Sequence, residues 1–305
     1  MDYKKNFKFS IITPTFNRSK LLRRAWLSIK NQNEYLSEWI VIDDGSNDQT
    51  FDLISKLKKE SCFKIVYEYN TNKGMTHAIN IGFKYVTGDY FFKLDSDDYL
   101  LDNALEIIYQ KINKIIDSEL YKEVNAFSFL TCEPNGKIIN KFNNLKKNSN
   151  YVEEEIITLD YLSARYRNLI TGDLLDIFRS YPLLNHFRYP VFNDERHSPS
   201  SFISYFNADY LQGKVAYVLE SVLVKDYQSE GISSARSKYG LNVPNKSLKS
   251  YLVSYLWLLS ISSNKVRPLF SVLKITLKTY SVLLYKLITR SLKLVSIKFI
   301  KYFLR

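Results

Sequence analysis

Trp39-Ile40-Val41-Ile42-Asp43-Asp44-Gly45-Ser46-Asn47 is an apolar run that stops abruptly at two aspartates and a glycine. The run has the length of a buried strand, the Asp-Gly-Ser-Asn stretch is a turn, and Phe51, Ile54 and Leu57 or Lys58 then recur at helical spacing. A strand leads into a helix. The same alternation holds on either side. Phe9-Ser10-Ile11-Ile12 precedes Leu22, Ala25, Trp26 and Ile29, and Phe63-Lys64-Ile65-Val66-Tyr67 precedes Ala78, Ile79, Gly82, Phe83 and Val86. Tyr90-Phe91-Phe92-Lys93-Leu94 runs into Asp95-Ser96-Asp97-Asp98 and a helix expected from about Asp102 to Ile116. Strands joined in series by crossover helices imply an α/β fold, a Rossmann-like, mostly parallel sheet covered on both faces.

Beyond about residue 120 the alternation weakens. Val124 to Thr131 and Gly136 to Asn140 read as strands around a Glu133-Pro134-Asn135-Gly136 turn. Thr158 to Tyr166, Asp173 to Arg179 and Ser200 to Leu211 read as helices, and Val215 to Leu219 and Val222 to Tyr227 as strands. The expected organisation is therefore an α/β half over residues 1–120, an α+β half over 121–235 and a basic helical tail over 236–305, with a subdomain seam near 120.

Of the 305 residues 46% are apolar, which excludes a disordered or fibrous chain. The 43 Lys and Arg exceed the 31 Asp and Glu by 12, and the excess sits at one end. From Gly231 to Arg305 there are fourteen basic residues and no acid, so the first 230 residues carry a net charge of −2. Cys62 and Cys132 form no CxxC pair and no disulfide framework, which suits a reducing compartment. No signal-peptide core follows Met1, and the longest uncharged stretch, Ser250 to Asn264, is too short and serine-rich to span a bilayer.

In an open parallel sheet, ligands bind at the carboxyl ends of the strands. Here those positions are acidic: Asp43 and Asp44 after one strand, Asp95, Asp97 and Asp98 after another. Helix capping accounts for one aspartate per helix. Three carboxylates in four residues repel one another unless a cation lies among them, and such oxygen ligands suit Mg²⁺ or Mn²⁺ shared with substrate phosphates. The nine glycines form neither a GxGxxG fingerprint nor a Walker loop, and His77, His186 and His197 make no HExxH zinc pair.

Four blocks together resemble a known family. Ile12-Thr13-Pro14-Thr15-Phe16-Asn17-Arg18, Val41 to Ser46, Asn72-Lys73-Gly74 through Asn80 to Gly82, and Phe92 to Asp98 look like the signature blocks of family 2 glycosyltransferases, in that family's order. Thr171-Gly172-Asp173, Tyr189 to Glu195 and Glu220 to Ser233 are similar to the acceptor half of bacterial members that build surface polysaccharides of O-antigen or capsule type. The resemblance implies a GT-A fold and an inverting, metal-dependent sugar transfer from a nucleotide-sugar, expected to be a UDP-sugar. It implies a nucleotide site of Pro14, Thr15, Phe16, Asn17, Asp43, Asp44, Lys73, Gly74, Asn80, Asp95 and Ser96. It also implies Asp97 as metal ligand with Asp95 beside it, and a catalytic base in Asn193-Asp194-Glu195, Glu195 ahead of Asp194. Asp173 is a further, weaker candidate, equally readable as a helix N-terminal acid. Lys73 and Lys93 are candidate sources of positive charge at the phosphates, equally readable as solvated side chains.

In the tail, Lys286, Arg290, Lys293, Lys298, Lys301 and Arg305 fall opposite Leu284, Leu287, Ile288, Leu294, Val295 and Phe299 on a helical wheel. A basic amphipathic helix suits an anionic membrane surface, so residues 246–305 are expected to place the chain at the inner face of the cytoplasmic membrane, cytoplasmic and peripheral. The alternative is packing of that stripe on the body or on a second subunit. The expected acceptor is a glycan, plausible as a polyprenyl-diphosphate-linked one, and no nucleic-acid partner is expected. Two rivals stand beside this reading: a sugar nucleotidyltransferase, which would usually carry a Gly-rich basic loop after its first strand, and a catalytically inactive membrane-associated assembly subunit.

Overall fold

A computed structural model describes residues 6–142, 150–153, 156–161, 164, 169–192, 196–228 and 253. The chain divides into two compact units, Met1–Ser254 and Tyr255–Arg305. The second unit, and with it the amphipathic stripe of the tail, lies outside the described residues.

The first unit opens with four βα steps: β1 (Phe9–Thr15), α1 (Ser19–Lys30), β2 (Leu36–Asp43), α2 (Thr50–Glu60), β3 (Lys64–Tyr69), α3 (Met75–Gly82), β4 (Tyr90–Lys93), a short β5 (Tyr99–Leu100) and α4 (Ala104–Ile116). All seven residues of β1 are buried, as expected of a strand with helices on both faces. α1 buries Leu22, Ala25, Trp26 and Ile29, and α4 buries Ala104, Leu105, Ile108, Ile112 and Ile115, both at three-to-four spacing. α3 lies so close to the sheet that a Cβ on Gly82 would stand 2.7 Å from the side chain of Ile12. α2 departs from its expected face: Ile54 and Leu57 are buried, but Phe51 is 62% exposed and rests edge-on against Tyr67.

The later part adds β6 (Val124–Cys132), β7 (Lys141–Phe142), β8 (Asn150–Glu153), β9 (Ile156–Asp160), β10 (Ile170–Thr171), β11 (Leu175–Arg179), α5 (Ser180–His186), α6 (Ser201–Asp209) and β12 (Lys214–Val224). Ten strands form one sheet in the order β3-β2-β1-β4-β11-β6-β12-β9-β8, with β5 against β12; β7 and β10 pair separately. The strands on either side of residue 120 thus share one sheet.

Four readings of the sequence are corrected, the first being the strand expected at Gly136–Asn140, where only an isolated bridge from Ile138 to Cys132 forms. The helix expected from Asp173 to Arg179 is β11, inserted antiparallel between β4 and β6. Leu175 and Ile177 alternate with Asp176, a period of two that burial in a central strand rewards. The helix expected from Thr158 begins inside β9, which pairs with β12. The two strands expected at Val215–Leu219 and Val222–Tyr227 are one, β12, interrupted by irregular pairing between Val218 and Ser221.

Candidate functional site

Register decides which residues meet. Parallel pairing sets Thr15 opposite Asp43, Asp43 opposite Tyr69 and Ile12 opposite Lys93, so β1 to β4 end along one edge. β12 runs parallel to β6, and its last residue, Val224, stands opposite Cys132 at the end of β6. Lys225, Asp226 and Tyr227 therefore emerge beside the Asp95–Asp98 loop, as Leu223 and Val224 pair with β5. A cavity of about 370 Å³ opens here, with Pro14, Asp95, Ser96, Asp97, Asp173 and Lys225 among the residues lining it.

Each carboxylate of the loop has a cation. Asp95 receives hydrogen bonds from Lys93 Nζ (2.5 Å) and Lys225 Nζ (3.5 Å), Asp97 from Arg18 Nη1 (2.8 Å), and Asp98 from Lys225 Nζ (2.5 Å). Arg24 Nη2 donates to the backbone oxygen of Asp97, and its Nη1 pairs with Asp226 at 2.6 Å. Burial opposes ionisation of Asp95, but the ammonium groups of Lys93 and Lys225 outweigh it and hold the carboxyl well below the usual range. Burial likewise disfavours a charged Lys225, yet Asp95 and Asp98 outweigh it and hold that ammonium well above the usual lysine value. The loop is an ion-pair network facing a cavity.

None of these aspartates is the N-cap residue of a helix: α2, α3 and α4 begin after Gln49, Gly74 and Asn103, whose own side chains make no cap hydrogen bond. The capping is done by Asp48, whose carboxylate accepts from Ser19 N and Thr50 N (3.0 Å each) at the starts of α1 and α2.

The other predicted nucleotide residues form a second cluster on the same edge. Asp44 accepts from Lys73 N (2.8 Å), Gly74 N (2.7 Å) and Asn70 Nδ2 (3.0 Å), and its own amide donates to Thr15 O (2.8 Å). Asp43 accepts from Ser46 N (2.8 Å) and from the Tyr67 hydroxyl (2.7 Å), which burial and this bond push well above the usual phenol range. Asn17 accepts from Asn47 N (2.8 Å), while its own amide donates to Ser46 Oγ (2.8 Å). Thr15 is buried and Phe16 is 42% exposed. Lys73 contributes a backbone amide here, and its side chain is exposed.

Asn80 has a different place. Its amide donates to Tyr189 O and accepts from Tyr189 N, both at 2.9 Å, so it ties α3 to the segment that leads to the predicted base. Beyond that base, Ser198 N donates to Thr76 Oγ1 (2.6 Å), and Arg196 lies 3.8 Å from Asp44. Gly74 has φ +101°, and a Cβ there would stand 2.2 Å from Arg196 O, so side-chain bulk is excluded twice over. Asp194 and Glu195 themselves lie outside the described residues. Asp173, the weaker site candidate also readable as a helix N-terminal acid, precedes β11 and accepts from the Tyr227 hydroxyl (2.7 Å) at the cavity.

The donor set suits a hard cation that shares its shell with phosphate. Asp95 and Asp97 supply carboxylate oxygens, and Mg²⁺ or Mn²⁺ binds through one or two such groups plus phosphates. Among the described residues no three His, Cys, Asp or Glu are grouped to hold an ion unaided. Sequence reasoning missed Arg24 and Lys225 as partners of this loop. A basic residue on a helix or after an apolar strand reads as a solvated side chain, and only pairing across 73 residues for Arg24 and 127 for Lys225 shows otherwise.

The sequence profile of glycosyl transferase family 2 matches residues 10–119, which hold β1 to β4 and the acidic loop. An uncharacterized glycosyltransferase of Haemophilus influenzae is 30% identical over 61% of this chain and 70% of its own length. The chain belongs to glycosyl transferase family 2. A second family relative, the GalNAc(5)-diNAcBac-PP-undecaprenol beta-1,3-glucosyltransferase of Campylobacter jejuni, is 35% identical over 58% of this chain, which spans 53% of that protein. The crystal structure of Staphylococcus aureus TarS 1-349 in complex with UDP-GlcNAc superposes with a TM-score of 0.61 at 19% identity, covering 87% of this chain and 73% of that one. The fold of this family 2 chain is GT-A.

Proposed function

We propose that the chain transfers a sugar, with inversion, from a UDP-sugar to a hydroxyl of a lipid-linked glycan in bacterial surface polysaccharide synthesis. The observation that carries this reading is the cavity edge at which Pro14, Asp95 and Asp97 face Arg18, Lys93 and Lys225. The binding of UDP-GlcNAc by TarS, and the undecaprenol-diphosphate acceptor in the name of the Campylobacter relative, support the donor and acceptor classes.

In this reading the base and ribose lie along Pro14–Asn17 and the Asp43–Asp44 cluster, and the diphosphate reaches the Asp95–Asp98 loop. A divalent ion at Asp97 and Asp95, when bound, offsets charge on the diphosphate. The acceptor oxygen attacks the anomeric carbon opposite the sugar–phosphate bond. Its proton passes to the carboxylate of Glu195 or, second, Asp194, and the diphosphate leaves with the bonding electrons. Arg18 and Lys93, already beside the loop, stabilise that developing charge. The ties of Asn80 to Tyr189 and of Thr76 to Ser198 hold both flanks of the base segment against α3.

The test is calorimetric titration of UDP, GDP, CDP and ADP, with Mn²⁺ and with chelator, beside Asp97→Ala. Metal-dependent UDP binding that the substitution abolishes is the expected result. Binding of no nucleotide sinks the reading, and preference for another nucleotide changes the donor.

The cationic residues 246–305 support attachment to an anionic membrane surface at its cytoplasmic face. No helix among the described residues is long and apolar enough to cross a membrane. Removing residues 246–305 should abolish co-sedimentation with phosphatidylglycerol vesicles, and persistent sedimentation of a folded truncation refutes the attachment.

A further inference from the structure

The acidic loop carries a cation of its own. Lys225 leaves the end of β12 with its side chain only 15% exposed, 2.5 Å from Asp98 and 3.5 Å from Asp95. The two oxygens of Asp95 are both engaged by ammonium groups, Oδ1 by Lys93 and Oδ2 by Lys225. Asp97 is held differently. Its partner is the guanidinium of Arg18, whose side chain is 29% exposed and lines the cavity. Lys225 is tied more deeply, because leaving Asp98, 5% exposed, would strand a buried carboxylate.

We infer that Lys225 is a positioning residue of the donor site, a built-in cation that closes Asp95 to divalent metal until nucleotide phosphates arrive. Metal capture then starts at Asp97 alone and becomes strong only when a diphosphate supplies further oxygens. This inference rests on the donor-site reading of Asp95 and Asp97 given above. It adds that an ion already seated without nucleotide is not the resting form.

The mechanism is competition between two cations for one carboxylate. Removing the lysine opens Oδ2 of Asp95, so the bare protein should gain Mn²⁺ affinity. Deleting Lys225 alone also leaves the loop one positive charge short, which raises cation affinity for a trivial reason. The paired exchange Lys225→Met with Asp98→Asn separates the two, because it preserves net charge and removes the buried pair whole, the change a folded core best tolerates.

The experiment measures free Mn²⁺ by its electron paramagnetic resonance signal over the full chain, without nucleotide and with UDP. The proteins compared are the unaltered chain, Lys225→Arg and Lys225→Met/Asp98→Asn, each first checked for a cooperative thermal transition. The unaltered chain and Lys225→Arg should bind Mn²⁺ weakly alone and tightly with UDP. The paired variant should bind Mn²⁺ alone about tenfold more tightly, so that UDP adds correspondingly less. Equal or weaker binding by the paired variant in the absence of UDP overturns the role of Lys225, while Mn²⁺ uptake by the unaltered chain with UDP keeps the donor-site reading intact. If the unaltered chain takes up no Mn²⁺ even with UDP, both fall together.

Discussion

In β1 to β3 each strand is followed within a few residues by the turn and helix that complete its unit, and the polar groups at its end bond to neighbouring turns. In β6 to β12 the strands are inserted between and beyond the earlier ones, and the segments that follow them find partners far away in sequence: Lys225 on Asp98, Asp226 on Arg24, Tyr189 on Asn80. The first region carries its geometry in local pattern, and the second acquires its geometry from the first. A ligand site built across both is therefore half visible in sequence and half not.

The comparison is tested hardest at Asp97. Asp97→Ala removes the carboxylate expected to hold the metal and should lower kcat by about 10²- to 10³-fold, with metal-dependent UDP binding lost, as measured by calorimetry and product formation. Retained UDP binding would mean that the local half does not hold the donor. Next is Asn80, the hinge between the halves. Asn80→Ala cuts two hydrogen bonds to Tyr189 and should reduce kcat about tenfold while the UDP dissociation constant stays unchanged. Weakened UDP binding would instead return Asn80 to the nucleotide.

Two stability measurements sharpen the contrast from the local side. Glu38 is fully buried at the opposite edge of the sheet, accepting from Ser10 and Ser37 hydroxyls and from the amide and hydroxyl of Thr87. Glu38→Ala should cost about 3 kcal/mol in urea denaturation by leaving those donors unpaired, with nucleotide affinity intact in the folded protein. The smallest effect is at Asp48, whose carboxyl is opposed by burial but held below its usual value by bonds from Thr50 and Ser19. A depressed folded value contributes stability above the unfolded value and loses it as pH falls through the folded one. Asp48→Asn should therefore be less stable by about 0.5 kcal/mol near pH 7, and the gap should close below pH 4.

How much was legible follows from the same contrast. The spacing of Leu22, Ala25, Trp26 and Ile29 gave α1, and Trp39 to Ile42 gave β2, because burial of one face writes a period into the residues themselves. Leu175-Asp176-Ile177-Phe178-Arg179 is too short to show whether its period is two or nearer four, and the slot between β4 and β6 decides it. The acidic loop was legible as a charge cluster that needs a cation. That Lys225 is such a cation was not, since Lys225 and Asp98 are 127 residues apart.

The position of β11 also sets a schedule for synthesis. β4 pairs with β1 on one side, and its other side, Tyr90-Phe91-Phe92, receives β11. A nascent chain emerging from the ribosome has made all four βα units long before residue 179 exists, so an aromatic strand edge stays open meanwhile. The half whose pattern is easiest to read is thus unsuited to stand alone. A fragment ending at residue 120 keeps the signature blocks but presents that edge to its own copies, and its fate is aggregation unless the later strand arrives.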